Sequence, residues 1–157
     1  MSGPLELDAT DWRILRELQR EGRITNVDLA RKVGLSPPPC LRRLQALEKS
    51  GAITGYRAVL NGAALGFDVQ VFAAVGLKSQ ADSELKAFEA MLAKWPLVRE
   101  AYVVSGEADY LLKCVGADLG ALQDFIIGEL TAAPNVENVR TTLIMRVAKY
   151  EPGFPIP

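Results

Sequence analysis

Two adjacent arginines, Arg42 and Arg43, are the side chains whose chemistry most clearly suits a polyanion. An arginine guanidinium can pair with the edge of a guanine or with a phosphate oxygen. We expect one of the two to contact a guanine edge and the other a phosphate. The alternative interpretation is that one of them is only a solvated residue on its helix.

Ser36 stands directly before prolines 37–39, and this order changes what its hydroxyl can do. A serine at a helix N-cap usually accepts a hydrogen bond from the N–H of the second or third helical residue. Proline has no N–H, so the hydroxyl is left to contact a phosphate. The alternative is that the prolines merely stiffen the start of the helix.

Residues 25–56 supply the elements that position these side chains: two short helices and a turn between them. Thr25 is expected to cap the first helix, with Asp28 at capping-box spacing, and Gly34 to end it in a left-handed conformation. An apolar stripe at Leu41, Leu44 and Leu47 would direct the polar residues of the second helix elsewhere. This pattern is typical of a helix–turn–helix, whose second helix lies in the major groove. The candidate DNA contacts are Thr25, Asn26, Ser36, Pro37, Pro38, Arg42, Arg43 and Gln45.

Two further segments complete this part of the chain. Residues 7–21 predict a preceding helix that Asp8 caps and that buries Ile14, Leu15 and Leu18. Residues 52–60 are expected to begin a wing or a connecting strand. Together they indicate a compact trihelical DNA-binding domain.

The distribution of charge separates the two halves of the chain. The formal net charge is −1, but residues 1–61 carry ten Lys/Arg against seven Asp/Glu, whereas residues 62–157 carry eight against twelve. A basic first half and an acidic second half are consistent with a nucleic-acid module joined to a partner module.

Several functional classes are disfavoured by what the sequence contains. There is no histidine, which excludes His-dependent triads and His metal sites within this chain. Cys40 and Cys114 lie in apolar patterns and are expected to be core thiols. The first residues lack the pattern of a signal peptide, and the apolar runs are too short to span a bilayer. We therefore expect a cytoplasmic protein that is not an enzyme, with no metal site and no cofactor.

The second half predicts an α+β domain with the order β-α-β-β-α-β, the ferredoxin-like arrangement. The predicted strands are residues 67–77, 98–105, 110–115 and 136–149, and the predicted helices are residues 82–95 and 119–130. The last strand should place Val139, Thr141, Leu143, Met145 and Val147 on one face. We expect a DNA-binding domain at 1–60, a linker at 61–66, an αβ-sandwich at 67–150 and an extended tail at 151–157.

Helices on one side of such a sheet leave its other face without a cover. Alternation assigns apolar residues to that face: Phe72, Ala74, Ala101, Val103, Leu111, Ile144 and Ala148. A contiguous apolar surface usually marks an interface, so we expect homodimerisation through the sheet.

Four segments of the chain resemble the Lrp/AsnC family of bacterial and archaeal regulators: LDATDWRILRELQREGRIT, VDLARKVGLSPPPCLRRLQALEKSGAITGYRAVLN, GEADYLLKC and RTTLIMRVAKY. The resemblance implies an N-terminal winged helix–turn–helix and a C-terminal αβ-sandwich that binds a small effector, typically an amino acid. It also implies dimers that join into tetramers or octamers and hold double-stranded DNA. Where many members have Thr or Ser, this chain has Pro38, so its operator preference is expected to differ.

The same resemblance implies an effector pocket between dimers, lined by Gly106, Glu107, Ala108, Asp109, Tyr110, Thr141 and Thr142. A carboxylate of Glu107 or Asp109 would pair with the α-amino group of the effector, and turn amides would bind its carboxylate. The alternatives are that Asp109 only forms a turn and that Tyr110 only packs on the sheet.

Two other functions compete with a ligand-controlled regulator. One is a nucleoid-like architectural protein with little sequence specificity. The other is an enzyme on the same scaffold, since sirohaem decarboxylases resemble this family; they rely on histidine, which this chain lacks.

Overall fold

The computed structural model describes residues 5–157 and divides them into two compact units. The first unit comprises residues 5–59 together with Tyr150–Pro157, here called the return segment. The second unit is Leu60–Lys149. The chain therefore leaves the first unit once and comes back to it.

Three helices form the first unit: α1 (Ala9–Arg20), α2 (Asn26–Val33) and α3 (Pro37–Lys49). Their apolar faces meet in a core of Ile14, Leu29, Ala30, Val33, Cys40 and Leu47. The spacing of these residues within each helix is helical, so each helix buries one stripe and leaves the other side to solvent.

Local side-chain chemistry sets where these helices begin and end. Asp8 caps α1 and forms a reciprocal capping box with Asp11, and the Thr25 hydroxyl caps α2 by accepting a 3.1 Å hydrogen bond from the N–H of Asp28. Gly34 follows α2 with φ +74°, the left-handed conformation that glycine adopts without steric cost. The predicted caps are confirmed.

Helix α3 buries part of the predicted row: Leu47 is buried and Leu44 packs against the core. Cys40 and Leu47 are buried, whereas Leu41 is 42% exposed. The prediction that Leu41 belongs to the buried stripe is wrong, because the core-facing side of α3 passes through positions 40, 43, 44 and 47.

Residues 52–60 form neither helix nor strand in this chain. The segment expected to begin a wing or a connecting strand is therefore not a strand here, and it pairs with no strand among the described residues. Its apolar side chains Tyr56, Val59 and Leu60 are exposed.

The second unit is an antiparallel four-stranded sheet in the order β2-β3-β1-β4, with β1 (Val69–Leu77), β2 (Val98–Val103), β3 (Tyr110–Gly116) and β4 (Val136–Leu143). The helices α4 (Asp82–Leu92) and α5 (Leu119–Phe125) cover one face, and α5 continues as a π-helical turn, Ile126–Leu130. Trp95 follows α4 and packs edge-on against Phe88 and Phe125. This is the predicted ferredoxin-like order.

A β-bulge in β2 inverts the alternation that the sequence suggested. Val98 lies opposite Cys114 and Glu100 opposite Lys113, so one extra residue is inserted between them. Ala101 and Val103 consequently face the same side as the buried Leu112 and Tyr110. Our assignment of Ala101 and Val103 to the uncovered face is wrong. That face, here called the open face, is formed by Phe72, Ala74, Glu100, Tyr102, Leu111, Lys113, Arg140 and Thr142.

Strand β4 ends earlier than predicted because its neighbour ends. Leu143 pairs with Val71, and the N–H of Ile144 donates to the carbonyl of Gln70, next to the first residue of β1. Beyond this point no strand is available as a partner. Met145, Val147 and Ala148 therefore lie outside the sheet and are exposed, which corrects the faces assigned to them.

Candidate nucleic-acid interface and effector loop

One row of α3 carries polar and proline side chains that make no hydrogen bond or ion pair with any described residue. Pro38, Arg42 and Gln45 stand at i, i+4 and i+7, so they share one side of the helix, and all three are exposed. Ser36 precedes this row as the N-cap and makes no side-chain capping bond, as predicted. These residues form a polar ridge that is open to a ligand.

The start of α3 is held by α2. The side-chain amide Nδ2 of Asn26 donates to the carbonyl of Pro37 at 2.9 Å, and Thr25 donates its hydroxyl to a carboxylate oxygen of Asp28 at 2.7 Å. Among the described residues, the Asn26 Oδ1 atom is buried and has no partner. The Thr25 hydroxyl and the Asn26 Nδ2, both predicted to contact DNA, are thus engaged within the protein, whereas Asn26 Oδ1 is not.

Arg43 points away from this ridge. Its Nη1 donates to Asp8 Oδ2 at 2.7 Å and to Asp11 Oδ1 at 2.8 Å. The two carboxylates raise the pKa of Arg43, and the backbone N–H of Asp11 together with the Arg43 guanidinium lowers the pKa of Asp8 below its usual 3.8. The spacing of Arg43 from Cys40 and Leu47 is the sequence signal that could have revealed this orientation.

The loop between β2 and β3 is anchored by Asp109. Its Oδ2 accepts from the N–H of Leu77 at 2.7 Å and its Oδ1 from Nε2 of Gln80 at 2.7 Å. Its own backbone N–H donates to the carbonyl of Val75. Gly106 has φ +126°, so the chain turns where a side chain would be strained.

The other predicted effector residues differ in what they face. Glu107 forms an exposed ion pair with Arg140 of β4 at 2.8 Å, and Ala108 is half-buried. Thr141 pairs with Ala73 and Thr142 with Phe72, so these adjacent threonines lie on opposite faces of the sheet. The Glu107–Arg140 pair brings the β2–β3 loop and β4 together. Of the two threonines, Thr142 lies on the open face and Thr141 on the other.

Tyr110 lies in the core beneath this loop. It is 2% exposed, and its hydroxyl donates to Glu89 at 3.1 Å. Burial and the Glu89 carboxylate raise the pKa of Tyr110 to about 12.

The open face carries a polar network that sequence reasoning missed. Glu100 accepts hydrogen bonds from the Tyr102 hydroxyl at 2.6 Å and from Lys113 at 3.0 Å. These two donors lower the pKa of Glu100. The alternation in the sequence did not indicate this network, because the bulge turns Glu100 and Tyr102 to the open face.

The described part of the chain shows neither a metal-binding cluster nor a membrane-spanning helix. No three His, Cys, Asp or Glu side chains of residues 5–157 are grouped to hold a metal ion. No helix in that range is long and apolar enough to cross a membrane.

A trihelical unit with an open polar ridge, joined to a βαββαβ unit, defines a two-domain DNA-binding protein. Residues 7–54 match the family described as winged helix-turn-helix DNA-binding, and residues 70–154 match the Lrp/AsnC ligand binding domain. The chain belongs to the Lrp/AsnC family and is a DNA-binding transcriptional regulator with a ligand-binding domain. The predicted family and fold class are confirmed.

Similar proteins include regulators known by sequence and by structure. The leucine-responsive regulatory protein of Rhizobium meliloti (strain 1021) is 61% identical over 145 residues, covering 92% of this chain and 93% of the relative. A Neisseria meningitidis transcriptional regulator solved with L-Met superposes with a TM-score of 0.92 at 35% identity, covering 96% and 97% of the two chains. An AsnC family regulator from Agrobacterium tumefaciens gives 0.89 at 35% identity, covering 95% and 97%.

Proposed function

We propose that this protein binds specific operator DNA in the cytoplasm and that an amino acid, leucine or methionine, controls this binding by changing its assembly. The observation that carries the proposal is the polar ridge of α3, where the side chains of Ser36, Arg42 and Gln45 are exposed and make no hydrogen bond or ion pair with any described residue. A helix that presents arginine and an amide side chain in this way can read base edges in the major groove.

The ridge divides naturally between two kinds of contact. Ser36 at the helix start suits a phosphate oxygen, and Arg42 and Gln45 in the following turns suit base edges. Pro38 adds only apolar contact where a hydroxyl would add a hydrogen bond. We therefore propose an operator preference that depends mainly on Arg42 and Gln45.

Glu107 is the proposed partner of the effector's α-amino group. Its present ion pair with Arg140 is exposed on both sides, and such pairs contribute little to stability, so an ammonium group can replace Arg140. Asp109 cannot make this exchange without releasing Leu77 and Gln80. Turn amides near Gly106 would bind the effector carboxylate, and Thr142 would lie beside it. The similarity to a leucine-responsive protein and to an L-Met complex supports the choice of amino acid. We propose no other cofactor.

Assembly is proposed to use the open face of the sheet. Phe72 and Leu111 supply its apolar part, and the Glu100–Lys113 pair supplies a polar part that can fix the register of a second copy. A dimer would present two α3 helices to a two-fold operator, and effector binding between dimers would set how many half-sites are held together.

The experiment is anisotropy of a labelled duplex from upstream of the gene itself, with excess competitor DNA, at two salt concentrations, with and without L-leucine or L-methionine. Competitor-resistant binding that one amino acid shifts is the expected result. Glu107→Gln should abolish the shift and Glu137→Gln, an exposed change on the same unit, should keep it. Loss of binding under competitor would favour an architectural protein, and no binding at low salt would overturn the proposal.

Assembly is tested separately by sedimentation. Phe72→Glu should lower the oligomeric state. Val103→Glu, on the opposite side of the sheet at a residue 70% exposed, is the matched control and should not. Equal effects of the two changes would contradict the open-face interface.

A further inference from the structure

The two arginines of α3 are adjacent in sequence but have opposite surroundings. Arg42 is exposed and makes no hydrogen bond or ion pair with any described residue. Arg43 lies on the core-facing row with Cys40 and Leu47, and its guanidinium reaches the start of α1. Neighbouring helical residues are about 100° apart, so the two arginines leave the helix in different directions.

The two carboxylate partners of Arg43 also cap helix α1. Asp8 uses Oδ1 to accept from the backbone N–H groups of Thr10 and Asp11, and Asp11 uses Oδ2 to accept from the N–H of Asp8. Each carboxylate then offers its second oxygen to Arg43. The guanidinium thereby connects α3 to the first turn of α1.

A DNA contact through Nη1 of Arg43 would undo this arrangement, because Nη1 makes both hydrogen bonds to Asp8 and Asp11. The two carboxylates also lie beside the guanidinium, so a phosphate drawn to Arg43 would approach two negative charges. Like charges near the DNA backbone oppose binding.

We propose that Arg43 is a positioning residue, which fixes the rotation of α3 through the capping box of α1 so that Arg42 and Gln45 face the DNA. This inference rests on the proposed operator binding. It replaces the expectation that both arginines touch DNA.

The decisive test is the double substitution Asp8→Asn with Asp11→Asn. Asparagine caps helices about as well as aspartate, so α1 keeps its cap while Arg43 loses its charged partners. If Arg43 positions α3, DNA affinity falls several-fold even though two negative charges are removed. Adding Arg43→Ala to this variant should then cause no further loss.

Salt dependence supplies the second readout, measured on the full chain with a duplex selected from random sequence. Arg42→Ala removes a positive charge that lies against the DNA, so the plot of log affinity against log salt should become less steep, by about 0.9 if that charge neutralises one phosphate. Arg43→Ala should weaken binding with the slope unchanged, and Arg43→Lys should recover part of the affinity. Circular dichroism of each variant verifies that it is folded.

The contrary result is equally clear. Tighter binding by the double asparagine variant, followed by a loss when Arg43 is removed, would make Arg43 a DNA contact and overturn the proposal. A wild-type protein that binds no duplex at low salt would instead overturn the proposed function, and this inference with it.

Discussion

The carboxylate of Asp109 accepts a 2.7 Å hydrogen bond from the backbone N–H of Leu77, a residue 32 positions earlier in the chain. Leu77 is buried at the end of β1, and a buried backbone N–H needs a hydrogen-bond partner. The loop that holds the proposed effector contacts is thus fixed to the central strand.

Asp109→Ala should therefore destabilise the second unit. A buried N–H left without a partner costs about 1–3 kcal/mol, and urea unfolding should show a loss of that size. Glu107→Gln in the same loop is the control, because its exposed ion pair contributes about 0–1 kcal/mol. Equal losses in the two variants would show that the Leu77 bond is not the main anchor.

Tyr110→Phe separates a core role from an effector role. Its hydroxyl is buried and donates to Glu89, so its removal should cost about 0.5–1.5 kcal/mol in urea unfolding. The response of DNA binding to leucine or methionine should stay as in the wild type. If DNA binding no longer responded to leucine or methionine while stability was unchanged, Tyr110 would have to contact the effector.

Ser36→Ala should affect binding more than folding. The hydroxyl makes no capping bond, so the loss of unfolding free energy should be smaller than the ~1 kcal/mol typical of a cap. Thr25→Ala removes a true cap in the same unit and should show that full loss. DNA affinity of Ser36→Ala should fall in anisotropy; a large fall in Tm with unchanged DNA affinity would contradict this.

The pairing of Asp8 predicts an acid dependence of the first unit. The Asp11 N–H and Arg43 lower the folded-state pKa of Asp8 below 3.8, so the unfolded state takes up its proton first as the pH falls. The stabilisation is present above about pH 3.8 and is lost as the pH falls through the lower, folded pKa. The urea midpoint of the wild type should drop over that pH range, and the midpoint of Asp8→Asn should drop less. If the two proteins lose stability in parallel as the pH falls, other carboxylates cause the acid dependence.

The return segment is held by a pair of hydrogen bonds. Gln19 Nε2 donates to the carbonyl of Phe154 at 2.8 Å, and the N–H of Phe154 donates to Gln19 Oε1 at 3.0 Å. A Cβ at Gly153, which has φ +114°, would lie 2.5 Å from the Gln19 side chain. Gly153→Ala and Gln19→Ala should both speed hydrogen exchange of the Phe154 amide. Gln123→Ala, an exposed change on α5, should leave it unaltered.

The features that the sequence could predict are those decided by neighbours along the chain. The Asp8 and Thr25 caps, the left-handed Gly34 and the free Ser36 hydroxyl each depend on residues within about four positions. The order of strands and helices could be predicted because apolar residues recur at helical spacing in the helices and at every second position in the strands.

The features it could not predict depend on distant partners. The bulge beside Arg99 is defined only by the pairing of β2 with β3, and it reversed the faces of Ala101 and Val103. Arg43 finds its carboxylates more than thirty residues away. The early end of β4 depends on where β1 begins.

The return of the chain to its first unit also fixes an order in time. Residues 5–59 leave the ribosome before Leu60–Lys149, yet the return segment that hydrogen-bonds to α1 is made only after them. At about 5–20 residues per second that interval is on the order of ten seconds. During it, Gln19 and the apolar residues around it lack the return segment, so synthesis of the DNA-binding unit begins before the second unit is made and ends after it.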